Sequence, residues 1–502
     1  MARSLTGMTW TITQLTQIRP SMAGGGRWLR ACALVALALA GSACSTVSSV
    51  TESVFGPSTA PKAGEPGFVK GFLGGVVADE PRAALAGREI LSAGGSAADA
   101  AVAMGFVLSV TLPSRAALGG GGACLAYAAD KDSINQGLPE AILFTPVAPA
   151  NFGAGGDRPA AVPMLARGLY LLHARYGSLP FEGLIVPAEQ LARFGTPTPR
   201  ALVRDLTLVA GPLLADPNAR AVFSQNGTPL TEGQTLLQPD LAATLTRIRV
   251  SGVGDLYTGQ LARRVVQASP LAGGPLALAD LTAALPRLAP AIVLPSGHDK
   301  VGFLPPPADG GLAAAAAFQV LQRDPSALAN AAARSLAVAA RWREGGVEGE
   351  SLLTATNLTE AALPPLPAST SFATLDKNGN AVACALSMDN LFGTGRLLPG
   401  LGILLAASPA AVPPPLYSAA IAWNENVHSF RAAVGGSGQA GAGMAVAFGM
   451  LATLRSNQPM ATPVPDPGRA NVISCFKYLP GENGSCGWAT DPREAGLAVG
   501  GN

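Results

Sequence analysis

One stretch of the sequence decides the fold, and it reads STSFATLDKNGNAVACALS over residues 369–387. It holds two apolar runs, 372–375 and 381–386, whose composition is typical of β-strands. Between them, residues 377–379 (Lys-Asn-Gly) suit a three-residue hairpin loop, a type I turn followed by a glycine in the left-handed conformation. The segment therefore predicts a β-hairpin.

The length of this loop decides which residues face each other across the hairpin. With three residues in the loop, Asp376 pairs with Asn380, and Ser369 lies opposite Ser387 with both serine side chains on one face of the sheet. A two-residue Asn-Gly loop would instead set Ser369 opposite Met388 and turn Ser387 to the other face. We prefer the three-residue loop, which brings two hydroxyl groups together.

A serine at the start of a strand has a specific chemical use. If the peptide bond before Ser369 is cleaved, the freed α-amine serves as the base that activates the hydroxyl, and no histidine is needed. The chain has three histidines, and none lies in a Gly-x-Ser-x-Gly or Ser-His-Asp setting. Two serines on a hairpin can equally be ordinary strand residues, so this interpretation needs support from the rest of the sequence.

The composition is that of a globular protein with a large core. Of 502 residues, 48% are hydrophobic and 13% are charged, which predicts one large domain or two tightly joined ones. The 34 basic and 32 acidic residues nearly balance, and no basic run is present, so nucleic acid is not an expected partner. Strand-like and helical patterns alternate along the chain, which indicates an α/β or α+β fold.

The N-terminal region has the order of a secretory signal. Arg27 and Arg30 precede the apolar stretch 31–40, and small residues before Cys44 follow it. An apolar stretch of ten residues is too short to cross ~30 Å of hydrocarbon as a helix. We therefore expect residues 1–44 to be an export signal that directs the protein to the bacterial periplasm or envelope.

Two details of this region stay open. Residues 1–21 fit a mis-assigned start, with Met22 as the true one. The small residues before Cys44 also resemble a bacterial lipobox, which would place a lipid anchor on that cysteine, although Gly41 stands where a leucine is usual. A Ser/Thr/Pro-rich tether, 45–66, follows the signal.

Four cysteines remain beyond the signal: Cys124, Cys384, Cys475 and Cys486. None has metal-site spacing with a histidine, and the sequence carries no signature of a metal or an organic cofactor. The last two flank a turn-rich segment, 479–484. Either a local disulfide in an oxidising compartment or two free thiols fit that pattern.

Upstream of the hairpin, the sequence predicts two helices and a close backbone approach. Residues 81–93 begin with a proline and end at two glycines, and Ser96 caps a second helix over 97–108. Asp99 suits the positive end of that helix. Four consecutive glycines, 119–122, indicate either a backbone that another element approaches closely or a flexible loop.

Several segments, together running from about residue 70 to 450, resemble the gamma-glutamyltranspeptidase family. The N-terminal signature of that family is similar to 94–102 (GGSAADAAV) followed by 119–122 (GGGG). Its aromatic-x-Gly element is similar to 255–259, and its proline-glycine segment is similar to 305–311. The start of its small subunit is similar to 369–376, 379–382, 392–395 and 402–405.

This resemblance implies an α+β fold, the four-layer αββα sandwich of the N-terminal nucleophile hydrolases. In that family the precursor cuts itself before a threonine, which becomes the nucleophile. The spacing to Asp376 maps this threonine onto Ser369, while Thr370 keeps the residue type but breaks the spacing. The implied products are a large chain, 67–368, and a small chain, 369–502, which are partners in a heterodimer.

The resemblance also assigns roles around the nucleophile. Ser387 matches the family's supporting hydroxyl on the neighbouring strand. The backbone amides of Gly435 and Gly436 match the loop that holds the tetrahedral oxyanion, although the residues after this loop depart from the family pattern. Ser418 matches the second of two adjacent substrate-holding serines, and Tyr417 replaces the first.

Other substrate-holding positions depart from the family. Thr145 stands where the family carries an arginine that clamps the glutamyl α-carboxylate, and Asp389 stands for an asparagine. Residues 406–409 (AASP) replace the acidic pair that receives the α-amine. These departures predict a changed substrate, and one hypothesis is that Arg115 or Arg396 supplies a replacement cation.

The sequence supports three interpretations of function. The first is an autoprocessing enzyme like a gamma-glutamyltransferase or glutathione hydrolase, in which the nucleophile attacks a small-molecule amide or peptide and passes the acyl group to water or an amine. The second keeps the fold but takes a non-glutamyl amide, such as the side chain of a beta-lactam. The third is a non-catalytic envelope lipoprotein, which an uncleaved chain of about 50 kDa would favour.

Overall fold

The computed structural model describes residues 71–501 apart from 131, 134, 152–155 and 360. The predicted export signal, the tether and Cys44 lie outside these residues. All the described residues belong to one compact unit. Within this range, none of the helices has both the length and the apolar character that a membrane span requires.

In the described part of the chain, the strands form two large antiparallel sheets and two short two-stranded ones. Numbered in chain order, they are β1 Gly74–Ala78, β2 Gly121–Tyr127, β3 Glu140–Phe144, β4 Thr196–Pro197, β5 Ser224–Gln225, β6 Thr228–Pro229, β7 Thr235–Leu236, β8 Arg287–Pro290, β9 Ile292–Ser296, β10 Asp299–Phe303, β11 Ser369–Asp376, β12 Ala381–Ser387, β13 Ser418–Asn424, β14 Ser429–Ser437, β15 Arg469–Leu479, β16 Cys486–Thr490 and β17 Leu497–Gly500. The first large sheet has the order β17-β1-β11-β12-β2-β3-β8, and the second has the order β16-β15-β14-β13-β10-β9.

The helices cover the outer faces of these sheets. They are α1 Pro81–Ser92, α2 Ala97–Thr111, α3 Pro113–Ala116, α4 Leu165–Tyr176, α5 Phe181–Phe194, α6 Arg200–Leu213, α7 Pro217–Phe223, α8 Pro239–Ser251, α9 Gln260–Ala268, α10 Leu278–Ala283, α11 Asp309–Arg323, α12 Leu328–Arg343, α13 Ser351–Thr354 and α14 Ala442–Ser456, with 3-10 turns at Val253–Leu256, Ser269–Ala272, Gln439–Gly441 and Asn483–Ser485.

Among the described residues, the three largest apolar cores lie between four layers. The first core joins α1, α2 and neighbouring helices to the outer face of the first sheet, and the last joins α11, α12 and α14 to the outer face of the second. Between the sheets lies a third core. Strand β11 shows the alternation that builds these layers, since Phe372 lies in the first core and Ala373 and Leu375 lie between the sheets. The predicted αββα sandwich is confirmed.

Helix α2 forms where the sequence predicted it, with the predicted cap. Ser96 accepts a hydrogen bond from the Asp99 amide at 3.1 Å, and the Asp99 carboxylate accepts one from the Ser96 amide at 2.8 Å. The helix continues to Thr111, three residues beyond the predicted end, and stops where Leu112 precedes Pro113. Every residue of α2 is buried.

The glycine run marks a close approach of backbones and not a flexible loop. Gly121 and Gly122 are the first two residues of β2. A Cβ on Gly121 would collide with the carbonyl oxygen of Phe144, and one on Gly119 would collide with that of Leu404. Strand β3 and the segment at Leu404 can pack against the glycine run only because side chains are absent there.

Within residues 71–501, two disulfides cross-link paired strands. Of the two alternatives for the C-terminal cysteines, the structure has the disulfide, which joins Cys475 on β15 to Cys486 on β16. A second bond, which the sequence did not predict, joins Cys124 on β2 to Cys384 on β12. Those two residues are direct partners across the ladder. They are 260 positions apart in the sequence, so no local pattern predicts that they are bonded.

Candidate active site

The hairpin of β11 and β12 has the predicted register. Ser369 pairs with Ser387, and Asp376 and Asn380 close a three-residue loop in which Gly379 has φ of +88°. Both serine side chains belong to the set that faces the second sheet, and both are buried. The two hydroxyl groups therefore meet at one end of the space between the sheets.

The hydroxyl of Ser387 contacts the peptide bond that precedes the other serine. Its Oγ donates a hydrogen bond to the carbonyl oxygen of Ala368 at 2.9 Å and accepts one from the amide of Asp389 at 3.0 Å. The Oγ of Ser369 has no hydrogen-bond partner among the described residues. The carbonyl before Ser369 is thus held by a donor, while the neighbouring hydroxyl is uncommitted.

Thr370 has a different environment, because its hydroxyl donates to the carboxylate of Asp79 at 2.9 Å. Asp79 also accepts the amide of Ser371 at 2.9 Å and the side-chain amide of Asn471 at 2.7 Å. It therefore ties the end of β1 to β11 and to the second sheet. Sequence reasoning missed Asp79, although its position directly after an apolar strand was a usable signal.

Asp389 and Tyr417 form a buried pair beside the serines. The phenol of Tyr417 donates to Oδ1 of Asp389 at 2.9 Å, and Oδ2 has no partner in the part of the chain that the structure describes. Burial raises the pKa of Asp389 to about 7, against the opposing effects of the Tyr417 hydrogen bond and the charge of Arg343. Burial, together with the charge of Asp389, raises the pKa of Tyr417.

The two glycines assigned to the oxyanion loop lie inside strand β14. A Cβ on Gly435 would lie 3.1 Å from Cβ of Ser371 and 3.0 Å from the carbonyl oxygen of Phe372, so Gly435 packs against β11. Gly436 faces α14 instead. Ser418 pairs with Gly436 and donates its hydroxyl to the carbonyl of Gly310 at 3.0 Å.

Thr145 lies at the same end of the first sheet as the serine pair but three strands away. Ser387 pairs with Gly121, and Gly122 pairs with Phe144. One more residue in the same register puts Thr145 opposite Gly121, and therefore at the level of Ser369. At the usual strand spacing this is a separation of roughly 14 Å. Thr145 is only partly buried.

The two arginines considered as replacement cations are already engaged. Arg115 makes a two-pronged ion pair with Asp205 at 2.8 Å for each contact. Arg396 does the same with Asp157 at 2.7 and 2.6 Å. Neither guanidinium is available to take over the role that the family gives to an arginine at the position of Thr145.

The described ranges contain no group of three or more His, Cys, Asp or Glu side chains that could hold a metal ion.

The fold and the serine pair together define a class of protein. Two stacked antiparallel sheets between helical layers, with a hydroxyl residue at the start of a central strand, are the architecture of the N-terminal nucleophile hydrolases. A family model described as Gamma-glutamyltranspeptidase matches residues 83–344. The chain belongs to the gamma-glutamyltranspeptidase family.

Known proteins agree with this membership. The chain is 29% identical over 403 residues to the glutathione hydrolase proenzyme of Escherichia coli (strain K12), covering 67% of this chain and 66% of that protein. It is 34% identical over 227 residues to the acylase ACY 1 proenzyme of Pseudomonas sp. (strain SE83), covering 42% and 41%. The crystal structure of cephalosporin acylase from Bacillus halodurans superimposes with a TM-score of 0.68 at 20% identity, covering 89% of this chain and 99% of that one.

The chain is shorter than the curated relatives that it matches. The chain spans 66% of the length of the Escherichia coli relative and 59% of glutathione hydrolase 3 of Arabidopsis thaliana.

Proposed function

We propose that this chain is a precursor that cleaves itself before Ser369 and then uses that serine to attack an amide. One observation carries the proposal. The Ser387 hydroxyl donates to the carbonyl of Ala368, while the uncommitted Oγ of Ser369 belongs to the next residue. A nucleophile and a donor to the developing oxyanion thus flank one peptide bond.

Self-cleavage proceeds in two steps, an acyl shift from nitrogen to oxygen and the hydrolysis of an ester. Oγ of Ser369 attacks the carbonyl carbon of Ala368, the C–N bond breaks, and the hydroxyl proton ends on the new α-amine. Water then hydrolyses the resulting ester, which releases the carboxylate of Ala368 and restores the serine hydroxyl. The proposed products are the chains 67–368 and 369–502.

The mature reaction repeats this chemistry on a substrate. The α-amine of Ser369 takes the hydroxyl proton as Oγ attacks an amide carbonyl, the leaving amine departs with a proton, and an acyl-enzyme remains. Water or a second amine then takes the acyl group. The backbone amides of Gly435 and Gly436 are the proposed donors to the oxyanion, an interaction worth a few kcal/mol in such sites.

The environment of each hydroxyl favours Ser369 over Thr370 as the nucleophile. The threonine hydroxyl is committed to the Asp79 carboxylate and belongs to the alternate set of side chains on β11. Ser369 shares its face with Ser387. A nucleophile at position 370 would lack the second hydroxyl beside it.

A second candidate function is acylase activity on a non-glutamyl amide. Three substrate-holding features depart from the family pattern: Thr145, the segment 406–409, and the Asp389–Tyr417 pair. Tyr417 donates a hydrogen bond to Asp389 at 2.9 Å, so these two substituted positions contact each other in the site. The similarity to an acylase over 42% of the chain supports this alternative.

The location of the protein is also part of the proposal. Residues 1–44 serve as an export signal, residues 45–66 as a tether, and Cys44 as a lipid attachment point. A disulfide within the C-terminal segment and another within the first sheet support an oxidising compartment.

The test is the intact mass under reducing conditions and the N-terminal sequence of the purified protein. Wild-type protein is expected to show a new terminus at Ser369, and a Ser369→Ala variant prepared identically is expected to stay uncleaved. A Thr370→Val variant serves as the matched control and is expected to cleave.

Two other outcomes have definite meanings. A terminus at Thr370 that the Thr370→Val change abolishes moves the nucleophile by one residue. A wild-type chain that folds and stays intact overturns the proposal and leaves a non-catalytic binding protein with this fold.

A further inference from the structure

The buried carboxylate of Asp79 accepts hydrogen bonds from four residues of the proposed small chain. Its Oδ2 accepts the hydroxyl of Thr370 and the amide of Ser371, each at 2.9 Å, and the hydroxyl of Ser437 at 3.3 Å. Its Oδ1 accepts the side-chain amide of Asn471 at 2.7 Å. Asp79 itself precedes the proposed cleavage point and belongs to the proposed large chain. One carboxylate therefore joins the two proposed products.

This carboxylate takes over where the pairing of β1 with β11 ends. The last pair of that ladder is Ala78 with Phe372. The amide of Ser371 lies one residue beyond it, and the carboxylate of Asp79 accepts that amide. A buried amide without an acceptor is unfavourable. On its β1 side, the start of β11 is therefore held by a side chain and not by a strand ladder.

The same carboxylate connects the strand of the nucleophile to the strand of the proposed oxyanion donors. Ser437 directly follows the two glycines on β14, and Asn471 pairs with the first of them, Gly435. The side-chain amide of Asn471 also donates to the carbonyl oxygen and the hydroxyl of Ser371, at 3.0 and 2.9 Å. Asp79 and Asn471 therefore fix the start of β11 relative to the oxyanion strand.

Cleavage before Ser369 removes one of the two covalent attachments of that residue. In the precursor the chain holds the serine from both sides, whereas in the product it is the first residue of a free terminus. Terminal residues are poorly ordered unless other contacts hold them. The contacts of Asp79 begin one residue after the nucleophile, at Thr370. They lie where order matters for the rate, because a displacement of about 1 Å can slow a reaction about 100-fold.

We propose that Asp79 is a positioning residue of the mature enzyme, which holds the new N-terminus of the small chain against the oxyanion strand. This proposal rests on the proposed function, because the terminus exists only in a cleaved chain. Asp79 contacts the residues next to the nucleophile and takes no part in proton transfer. Its loss is therefore expected to loosen the terminus and to lower kcat, while the precursor still cleaves itself.

Hydrogen exchange at the start of β11, measured by mass spectrometry, tests this role. The wild type and Asp79→Asn are compared in cleaved form and again in the uncleavable Ser369→Ala background. Asparagine keeps the size of the side chain but has one acceptor oxygen in place of two. In cleaved protein, Asp79→Asn is expected to speed the exchange of the amides of Thr370 and Ser371 roughly 100-fold. In uncleaved protein the change is expected to stay below about tenfold, because the intact chain still holds these residues.

A matched control separates this effect from a general loss of stability. Asp99 is another buried carboxylate of the large chain, and its partners Ser96, Ser178 and Leu179 all precede the cleavage point. Asp99→Asn is expected to leave the exchange at the start of β11 the same in cleaved and uncleaved protein. Equal acceleration by Asp79→Asn in both forms shows an ordinary structural role and overturns the proposal. Unchanged exchange in the cleaved form also overturns it.

A milder variant covers the case in which Asp79→Asn does not fold. Thr370→Val removes one of the four donors and keeps the shape of the side chain. It is expected to speed the exchange of the Ser371 amide several-fold in cleaved protein and not in the Ser369→Ala background. The absence of this difference overturns the proposal. An Asp79→Asn chain that folds and stays intact, beside a cleaved wild type, also overturns it, because Asp79 then acts in self-cleavage itself.

Kinetics and intact mass distinguish this proposal from the preceding one. On γ-glutamyl- or phenylacetyl-p-nitroanilide, cleaved Asp79→Asn is expected to lose about 100-fold in kcat, with KM changed by less than about threefold. A raised KM at unchanged kcat overturns the positioning role, and where wild type hydrolyses neither probe the exchange measurement decides. A wild-type chain that stays intact overturns the proposed function. A cleaved Asp79→Asn protein with the exchange and kcat of wild type overturns the positioning role alone.

Discussion

The phenol of Tyr417 donates a hydrogen bond of 2.9 Å to the carboxyl of Asp389, joining the start of β13 to the end of β12. Each residue is a departure from the family pattern at a position next to the serine pair. The structure shows that the two departures are partners. A carboxyl introduced into a buried site requires a donor, and the tyrosine supplies it.

Replacement of Asp389 by asparagine is expected to change how stability depends on pH. Burial raises the Asp389 pKa from 3.8 to about 7, so the folded state favours the protonated form. The stability linked to this proton is fully present below pH 4 and is lost as pH rises through about 7, by roughly 4 kcal/mol.

The measurement for Asp389→Asn is the thermal midpoint at pH 4.5, 6 and 8 in the Ser369→Ala background. The asparagine variant is expected to lose less stability than its parent between pH 4.5 and 8. Parallel pH profiles would show that Asp389 does not titrate in this range and would contradict the assignment.

Tyr417→Phe is expected to destabilise the protein by about 1–3 kcal/mol, because the buried carboxyl of Asp389 then has no donor. The double variant Asp389→Asn/Tyr417→Ser returns both positions to the family's residue types. It is expected to be more stable than the sum of its two single changes predicts, and a double-mutant cycle from denaturant unfolding measures the coupling. Strict additivity would mean that the hydrogen bond is not energetically coupled.

Ser387→Ala is expected to slow self-cleavage about 100-fold, because it removes a donor to the carbonyl that becomes the oxyanion. The fraction of intact chain over time, measured by mass spectrometry after a pulse of synthesis, follows the rate. Ser109→Ala is the matched control, since it deletes another buried hydroxyl that bonds a backbone carbonyl, at 2.6 Å inside α2. Equal cleavage rates in both variants would remove Ser387 from the mechanism.

The bond between Cys124 and Cys384 crosses the proposed cleavage point, since one cysteine lies before residue 369 and the other after it. Cleaved protein is therefore expected to run as one band on a denaturing gel without reductant and as two bands with it. A Cys124→Ala/Cys384→Ala variant is expected to show two bands in both lanes.

The second disulfide provides the control for this experiment. Cys475 and Cys486 both lie after residue 369, so a Cys475→Ala/Cys486→Ala variant is expected to keep the single band without reductant. Separation of the chains in that variant would contradict the assignment, because it would mean that the Cys124–Cys384 bond does not join the two products.

The hairpin shows how much the sequence determines alone. A glycine suited to the left-handed conformation set the loop length, and the two-residue period of a strand then carried the register outward to Ser369 and Ser387. The capping box of α2 was equally readable, because Ser96 and Asp99 interact within one helical turn. Local rules of this kind, together with the family resemblance, were sufficient for the fold class.

Contacts between distant segments required the tertiary structure. The partners of Thr370 and Ser371, the pairing of Asp389 with Tyr417, and the bond between Cys124 and Cys384 follow from which strands are neighbours and where loops cross their ends. The sequence determined which residues share a strand face, since backbone geometry repeats every two residues. Only the folded chain decided what meets that face, because the order of strands in a sheet is set by packing of the whole core.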